Sequence, residues 1–292
     1  MTPRRALIGL HIGALAFGLS GIFGKLALAA PLAIVVGRSL FAVAALIPFS
    51  RLRAGESPID RRRLAMLAGS GLLLGGHWLT FFYAVKISGV AIATLGFASF
   101  PAFTVLLEGL LFRERIQRRE WTLVGLVSLG LVLVTPHFDL ASGSTSGLLW
   151  AVSSGLLFAL LTLANRATVR GLNPMQAALC QNAAILLCLL PFAWRDLLEV
   201  RALDWLWLFM LGAFCTGVAH SLFVSALHVL NARSAALVFA LEPVYGIAFA
   251  WWLFSEQPTL RMLLGGALII AAIVLSSRAK NDPPAVKAVE TL

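Results

Sequence analysis

Charge is scarce in this chain. Of its 292 residues only 12% are Asp, Glu, Lys or Arg, while 60% are hydrophobic. A water-soluble domain is usually about a quarter charged and about half apolar, so a water-facing globule is excluded. Acid is scarcest, with 13 Asp and Glu against 23 Lys and Arg. Cysteine is nearly missing as well. Cys180, Cys188 and Cys215 have neither metal-ligand spacing nor an obvious pairing, and they read as small buried thiols. There is no HExxH, no GxSxG, no phosphate-binding glycine loop and no long loop able to hold a head-group site. Metal hydrolysis, activated-serine chemistry and ATP hydrolysis each need such a constellation. No metal and no cofactor are therefore expected, and a polytopic enzyme is the weakest reading.

What the chain does have is apolar length. A membrane-spanning helix needs about 20 residues, and ten runs qualify: 6–24, 31–50, 64–86, 89–112, 121–136, 147–168, 174–193, 205–227, 234–254 and 259–276. They are unbroken rather than alternating, which selects helices over a barrel. The start, "TPRR" followed by an apolar run and "ALAA", has the look of a signal peptide. The run is long for one, and the repeat described below supplies it with a partner, so it reads as a first transmembrane helix.

The net charge of +10 follows topology rather than a nucleic-acid partner. With the N-terminus inside, the cytoplasmic segments collect Arg4, Arg5, the arginines of "RLRAGESPIDRRR" and "RERIQRRE", Arg166, Arg170, Arg233 and the basic tail. The opposite face keeps Lys25, Lys86, Arg195, Arg201 and Arg261. This is the positive-inside bias, and an even number of spans then places both termini in the cytoplasm. No nucleic acid is expected as a partner; the bilayer is.

The chain also repeats itself. A shift of 142 residues superposes 64–133 on 206–275 without a gap, matching Gly75 with Gly217, Phe81 with Phe223, Ala98 with Ala240 and Pro101 with Pro243. It also lays "LFRE" over "LFSE", so that Glu114 meets Glu256. A shift of 143 aligns "GRSLFAVAALIPF" (37–49) with "CQNAAILLCLLPF" (180–192). The expected organisation is a first five-helix repeat over 1–136, a second over 137–277 and a polar cytoplasmic tail over 278–292. Five is odd, so the second copy enters the membrane from the opposite face. Inverted repeats and matched helix interruptions are recurring features of secondary transporters. Pro101 and Pro243, each near the centre of its span, are thus hinge candidates; each is expected to kink its helix by removing a backbone hydrogen bond.

A mid-helix proline, a span ending in aromatic residues and Glu, and a glycine-bearing closing span resemble the EamA signature of the drug/metabolite transporter superfamily. Here it reads "FPAFTVLLEGLLFRERIQRREWTLVGLVSLGLVLV" and again "EPVYGIAFAWWLFSEQPTLRMLLGGALIIAAIVL". The resemblance covers essentially the whole chain and is nearest to the YddG-type amino-acid exporters. It implies an all-α membrane protein of ten transmembrane helices in two inverted five-helix repeats. Helices 1–4 and 6–9 would enclose a central cavity, with helices 5 and 10 peripheral. The implied activity is export of amino acids or other small metabolites across the bacterial inner membrane.

An ionisable residue at mid-depth costs at least about 2.5–3.5 kcal/mol to insert, so each is a functional candidate. Arg38 and Glu242 fall near the centres of spans 2 and 9, and their repeat counterparts, Gln181 and Phe100, are uncharged. They either bind the carboxylate and ammonium of a zwitterion or pair with each other to hold two helices together. His77 and His220 are candidates for proton relay, against a structural role for each. Phe17, Trp78, Phe100, Tyr83 and Tyr245 are candidates for a side-chain pocket. Glu108 reads as an anchor near the cytoplasmic end of its span, and Trp121, Trp205 and Trp207 as interfacial belt residues. A multidrug or organic-cation pump is the alternative function. The first span lacks the buried acid such a pump would be expected to use, although Glu242 offers a substitute.

Overall fold

The structure is a computed structural model. It describes residues 2–51, 60–113, 115–135, 139, 142–168, 172–227, 238 and 241–279. The helices are α1 (Pro3–Leu26), α2 (Pro31–Arg51), α3 (Arg61–Phe97), α4 (Phe100–Phe112), α5 (Arg118–Val134), α6 (Gly143–Thr168) and α7 (Pro174–Leu198). Then come α8 (Ala202–Phe209), a π-helical segment (Met210–Val218), α9 (Ala219–Leu227), α10 (Glu242–Phe254) and α11 (Leu260–Ala279). No strand occurs among the described residues. Among the described residues, six helices are long and apolar enough to cross a bilayer by length and composition. Their starts are chemically marked. Asp60 accepts from the Arg63 N–H at 2.7 Å, Asn173 accepts from the Met175 N–H at 3.0 Å ahead of Pro174, and Gln117 and Glu120 form a capping box on α5. Each satisfies donors that a helix start leaves open.

The pairings repeat when the two halves are exchanged. Helix α2 packs on α7 and α5 on α11; α3 against α7 is matched by the π segment against α2, and α4 against α6 by α10 against α1. Glycines seat these crossings. A Cβ at Gly71 would lie 2.6 Å from the Gln181 carbonyl, and one at Gly212 would lie 2.3 Å from the Arg38 carbonyl. Arg38 and Gln181 are the residues that the 143 register aligns. At the periphery, Gly130 of α5 and Gly265 of α11 bring two backbones together, each Cβ position within 2.8 Å of the other residue's carbonyl oxygen. The repeat also fixes local conformation. Arg113 and Ser255, matched at 142, both close their helices in the left-handed region (φ 54° and 55°). Glu114 and the first half of span 9 lie outside the described residues.

Three expectations change here. Pro101 and Pro243 do not sit inside continuous helices but in the first turns of α4 and α10. There a missing N–H removes no hydrogen bond. The α4 interruption comes at Ala98–Ser99, where the Ser99 hydroxyl donates to the Gly96 carbonyl at 2.7 Å and Gly155 of α6 abuts the break. The thiols are also not uniformly buried. Only Cys215 is; Cys180 is half-buried and Cys188 exposed, because α7 turns one face toward the bilayer. Trp205 and Trp207 pack inward, against Phe41 and Phe23 respectively.

Overpacking a tight site costs about 1–3 kcal/mol, whereas Gly→Ala on an open helix face gains up to about 1 kcal/mol. Gly212→Ala is therefore expected to lower the thermal unfolding temperature in detergent. Gly69→Ala, whose Cβ meets nothing within 4 Å, should leave it unchanged or raise it. Equal shifts in the two variants would show that the α2 crossing is not as tight as these distances imply.

Candidate functional site

Arg38 is buried in the bundle, 3% exposed. Its Nε donates to the Thr216 hydroxyl at 2.9 Å and its Nη1 to the Ser20 hydroxyl at 3.0 Å. The Trp78 ring covers the guanidinium at 3.9 Å, with the Phe82 ring at 6.0 Å. A desolvated cation over an aromatic face gains about 2 kcal/mol, and hydrogen bonds to a charged group contribute about 1.5–3 kcal/mol each. Together these offset burial of the ion in an apolar bundle. Nη2 has no partner among the described residues, so one edge of the fork is open.

The π segment sets this geometry. Thr216 Oγ1 donates to the Leu211 carbonyl five residues back, at 2.9 Å, and so turns its lone pairs toward Arg38. The following Ala219 N–H reaches Phe214, also five residues back. Such wide turns are rare and occur frequently at functional sites. Gly212 and Gly217 let α2 lie directly against the segment.

Glu242 opens α10, where a carboxylate complements the helix dipole. It is half-buried, and its charge and that of Arg38 act on each other. No ion pair joins them; the carboxylate and guanidinium stand apart. The backbone of Glu242 and Gly246 is pressed against Gly18 of α1, where a Cβ would meet the Glu242 carbonyl at 2.9 Å. Tyr245 continues the line outward, its hydroxyl 3.3 Å from His11 Nδ1.

His77 occupies a second cluster beside Trp78. The Ser154 hydroxyl donates to the His77 carbonyl at 3.0 Å and accepts from Nδ1 at 2.7 Å. That arrangement makes Nδ1 the protonated nitrogen and leaves Nε2 as the acceptor. Phe97 and Phe158 lie 4.9 Å from the imidazole, Phe81 lies at 6.4 Å, and Phe100 stacks on Phe97 at 5.3 Å.

The fold thus gathers Arg38, Trp78, Glu242 and Tyr245 around α1, with His77 and Phe100 adjoining and Phe17 half-buried one turn from Ser20. Three candidates lie apart. Tyr83 is 38% exposed and stacks on Trp150 at 5.4 Å on the outer face of α3 and α6; one residue beyond Phe82 on a helix is a turn of about 100°, which carries it away from the centre of the bundle. Gln181 donates to Asn165 Oδ1 at 2.7 Å on the α6–α7 side. His220 lies beside the Pro174 carbonyl with Nε2 buried and unpartnered. Ser20, Thr216 and Ser154 were missed in the sequence, where single hydroxyl residues in apolar runs are common and only the crossings give them a function.

The described residues form an all-helical bundle of membrane-spanning type with polar and charged groups between two similar halves. The EamA-like transporter family matches residues 4–135 and again 145–278, and the chain belongs to that family. It is 25% identical over 285 residues to the uncharacterized transporter YxxF of Bacillus subtilis, covering 93% of this chain and 89% of that one. The pseudopaline exporter CntI of Pseudomonas aeruginosa is 24% identical, covering 82% of this chain and 84% of its own. An S-adenosylmethionine uptake transporter of Rickettsia prowazekii is 24% identical, covering 80% and 79%. A solved crystal structure matches with a TM-score of 0.61 and 18% identity over 93% of this chain and 96% of that one, which shows the fold. The protein is therefore a multi-pass membrane transporter rather than an enzyme.

Thr216→Val removes the acceptor for Arg38 Nε while conserving shape, and Thr216→Ser keeps it. The valine variant should lose about 1.5–3 kcal/mol of stability, read as a lower unfolding temperature than either serine variant or wild type. Equal unfolding temperatures for valine and serine would remove Thr216 from the support of Arg38.

Proposed function

We propose that the protein is a bacterial inner-membrane secondary transporter that exports amino acids or related small zwitterionic metabolites by alternating access. The observation that carries this reading is the separation of Arg38, which is buried, and Glu242, which is half-buried: two groups of opposite charge in one bundle that influence each other without forming an ion pair. A structural ion pair would close, because removing one partner of a buried pair leaves an expensive unpaired charge. A zwitterion supplies both missing partners. Its carboxylate takes the open Nη2 edge of Arg38, its ammonium takes Glu242, and its side chain lies toward Trp78 and the phenylalanines around His77.

Both termini lie in the cytoplasm, and the two repeats, 1–136 and 137–277, enter the membrane in opposite senses. Pro101 and Pro243 begin the second segments of their broken spans, so bending is concentrated at the joints before them. Glu242 and His77 are the groups placed to exchange a proton for the substrate. The aromatic lining and Glu242 also suit an organic cation, which is the second reading. The named relatives include both an exporter and an uptake transporter, so direction belongs to this proposal and not to the family.

The test is uptake of labelled amino acids into proteoliposomes, with and without a pH gradient. Arg38→Gln and Glu242→Gln should each reduce saturable uptake at least about tenfold, the effect of losing 1.4 kcal/mol or more, with folded yield retained. Movement of an organic cation or a sugar conjugate but of no amino acid would sink the substrate assignment. In the same assay Pro101→Ala and Pro243→Ala should slow transport without unfolding the protein; wild-type rates in both would remove the joints from the mechanism.

A further inference from the structure

The repeated Leu-Phe-x-Glu motif takes no part in the central site, yet its second copy ends in the most connected carboxylate at one end of the bundle. Glu256 accepts from the Val90 N–H at 3.0 Å and from the Ala91 N–H at 3.3 Å, and it pairs with Lys25 at the end of α1. The left-handed turn at Ser255 swings it there, and the Glu256 N–H returns to the Ala250 carbonyl at 3.4 Å. Its receptor is equally shaped. Gly89 has φ +83°, which breaks α3 and exposes the amides of the segment that follows. A Cβ at Gly89 would stand 2.9 Å from both carboxylate oxygens. Around this contact, Lys86 donates to the Ala27 carbonyl, and the Leu28 N–H donates to Asp204, which Arg201 holds at 2.7 and 2.9 Å. The basic-residue bias assigns this end to the extracytoplasmic side.

The contact joins the halves through a partly exposed ion pair laid over the buried residues Val90 and Ala91. Lys25, Gly89, Val90 and Ala91 belong to the first repeat, Glu256 to the second. The side chains of Lys25 and Glu256 are 32% and 18% exposed, so water reaches the pair. Ion pairs that water reaches contribute about 0–1 kcal/mol, and the amides at a helix start can be satisfied by water. Such a closure is specific in geometry and cheap to open, the combination required of a gate.

We propose that Glu256 is the gating residue at this end of the central cavity. Its carboxylate caps the amides of Val90 and Ala91 while the end is closed and leaves them when it opens. The proposal rests on the alternating-access reading. It concerns a conformational equilibrium, however, and is read without substrate.

The experiment is a distance measurement by pulsed electron paramagnetic resonance on the full chain. Nitroxides are attached at Leu28→Cys and Leu260→Cys, positions 67% and 71% exposed, with Cys180, Cys188 and Cys215 replaced by alanine. The parent should give mainly a short distance, and both Glu256→Gln and Lys25→Met should add a longer component, larger in Glu256→Gln because it also weakens the amide contacts. The exchange Lys25→Glu with Glu256→Lys should not restore the short distance, since an ammonium cannot accept from Val90 and Ala91. Unchanged distances in both single variants would overturn the proposal. So would full recovery in the exchange, which would mark a simple ion pair, or loss of folded protein in both single variants, which would mark a structural tie. A longer component in a protein that moves no small molecule would leave the gate standing and refute the transport reading; normal transport with unchanged distances would do the reverse.

Discussion

A guanidinium placed among apolar helices must be surrounded or it will not stay folded there, and the bundle is arranged around that requirement. Ser20 comes from α1, Trp78 from α3 and Thr216 from the π segment. Arg38 itself is carried on α2, whose backbone is seated against Gly212. Four elements therefore meet at one side chain, and the crossings that bring them together are glycine seams because any larger residue would hold the backbones apart. One edge of that cation is left unfilled, and the proposed substrate carboxylate would take it.

Duplication supplies the second constraint. The exchange of halves preserves helix pairings, the left-handed caps at Arg113 and Ser255, and the glycine contacts on Arg38 and Gln181. It does not preserve chemistry at the centre. Arg38 faces hydroxyls and an indole where Gln181 bonds to Asn165, and Glu242 corresponds to Phe100 in an aromatic cluster. The scaffold repeats and the chemistry at its centre does not.

Much of the frame was legible in the sequence. Long apolar runs mark the spans, and the 142 register pairs Arg113 with Ser255, which share a left-handed cap in the structure. Arg38 and Glu242 stood out because isolated charges in apolar runs are conspicuous. Other features depended on rotation or crossing. Tyr83 and Phe82 are neighbours in sequence yet face opposite surroundings, and no pattern in an all-apolar helix reports which is inside. The π segment was invisible because its composition is that of any span, and Thr216 acquires its meaning only from α2. The prolines were located correctly, but a proline in the first turn and one in the middle of a helix look alike until the break beside it is seen.

The Gly130–Gly265 seam between α5 and α11 has a mechanical consequence. Two backbones in carbonyl contact leave no room to approach and little to shear without meeting Ile269, Leu133 or Val134. Any rocking of the halves must therefore use this seam as its fulcrum. Displacement grows with distance from a fulcrum, so the stroke is smallest at α5 and α11 and largest across the bundle from them. Under the proposed alternating access, a small tilt at two glycines becomes the widest opening on the far side of the bundle.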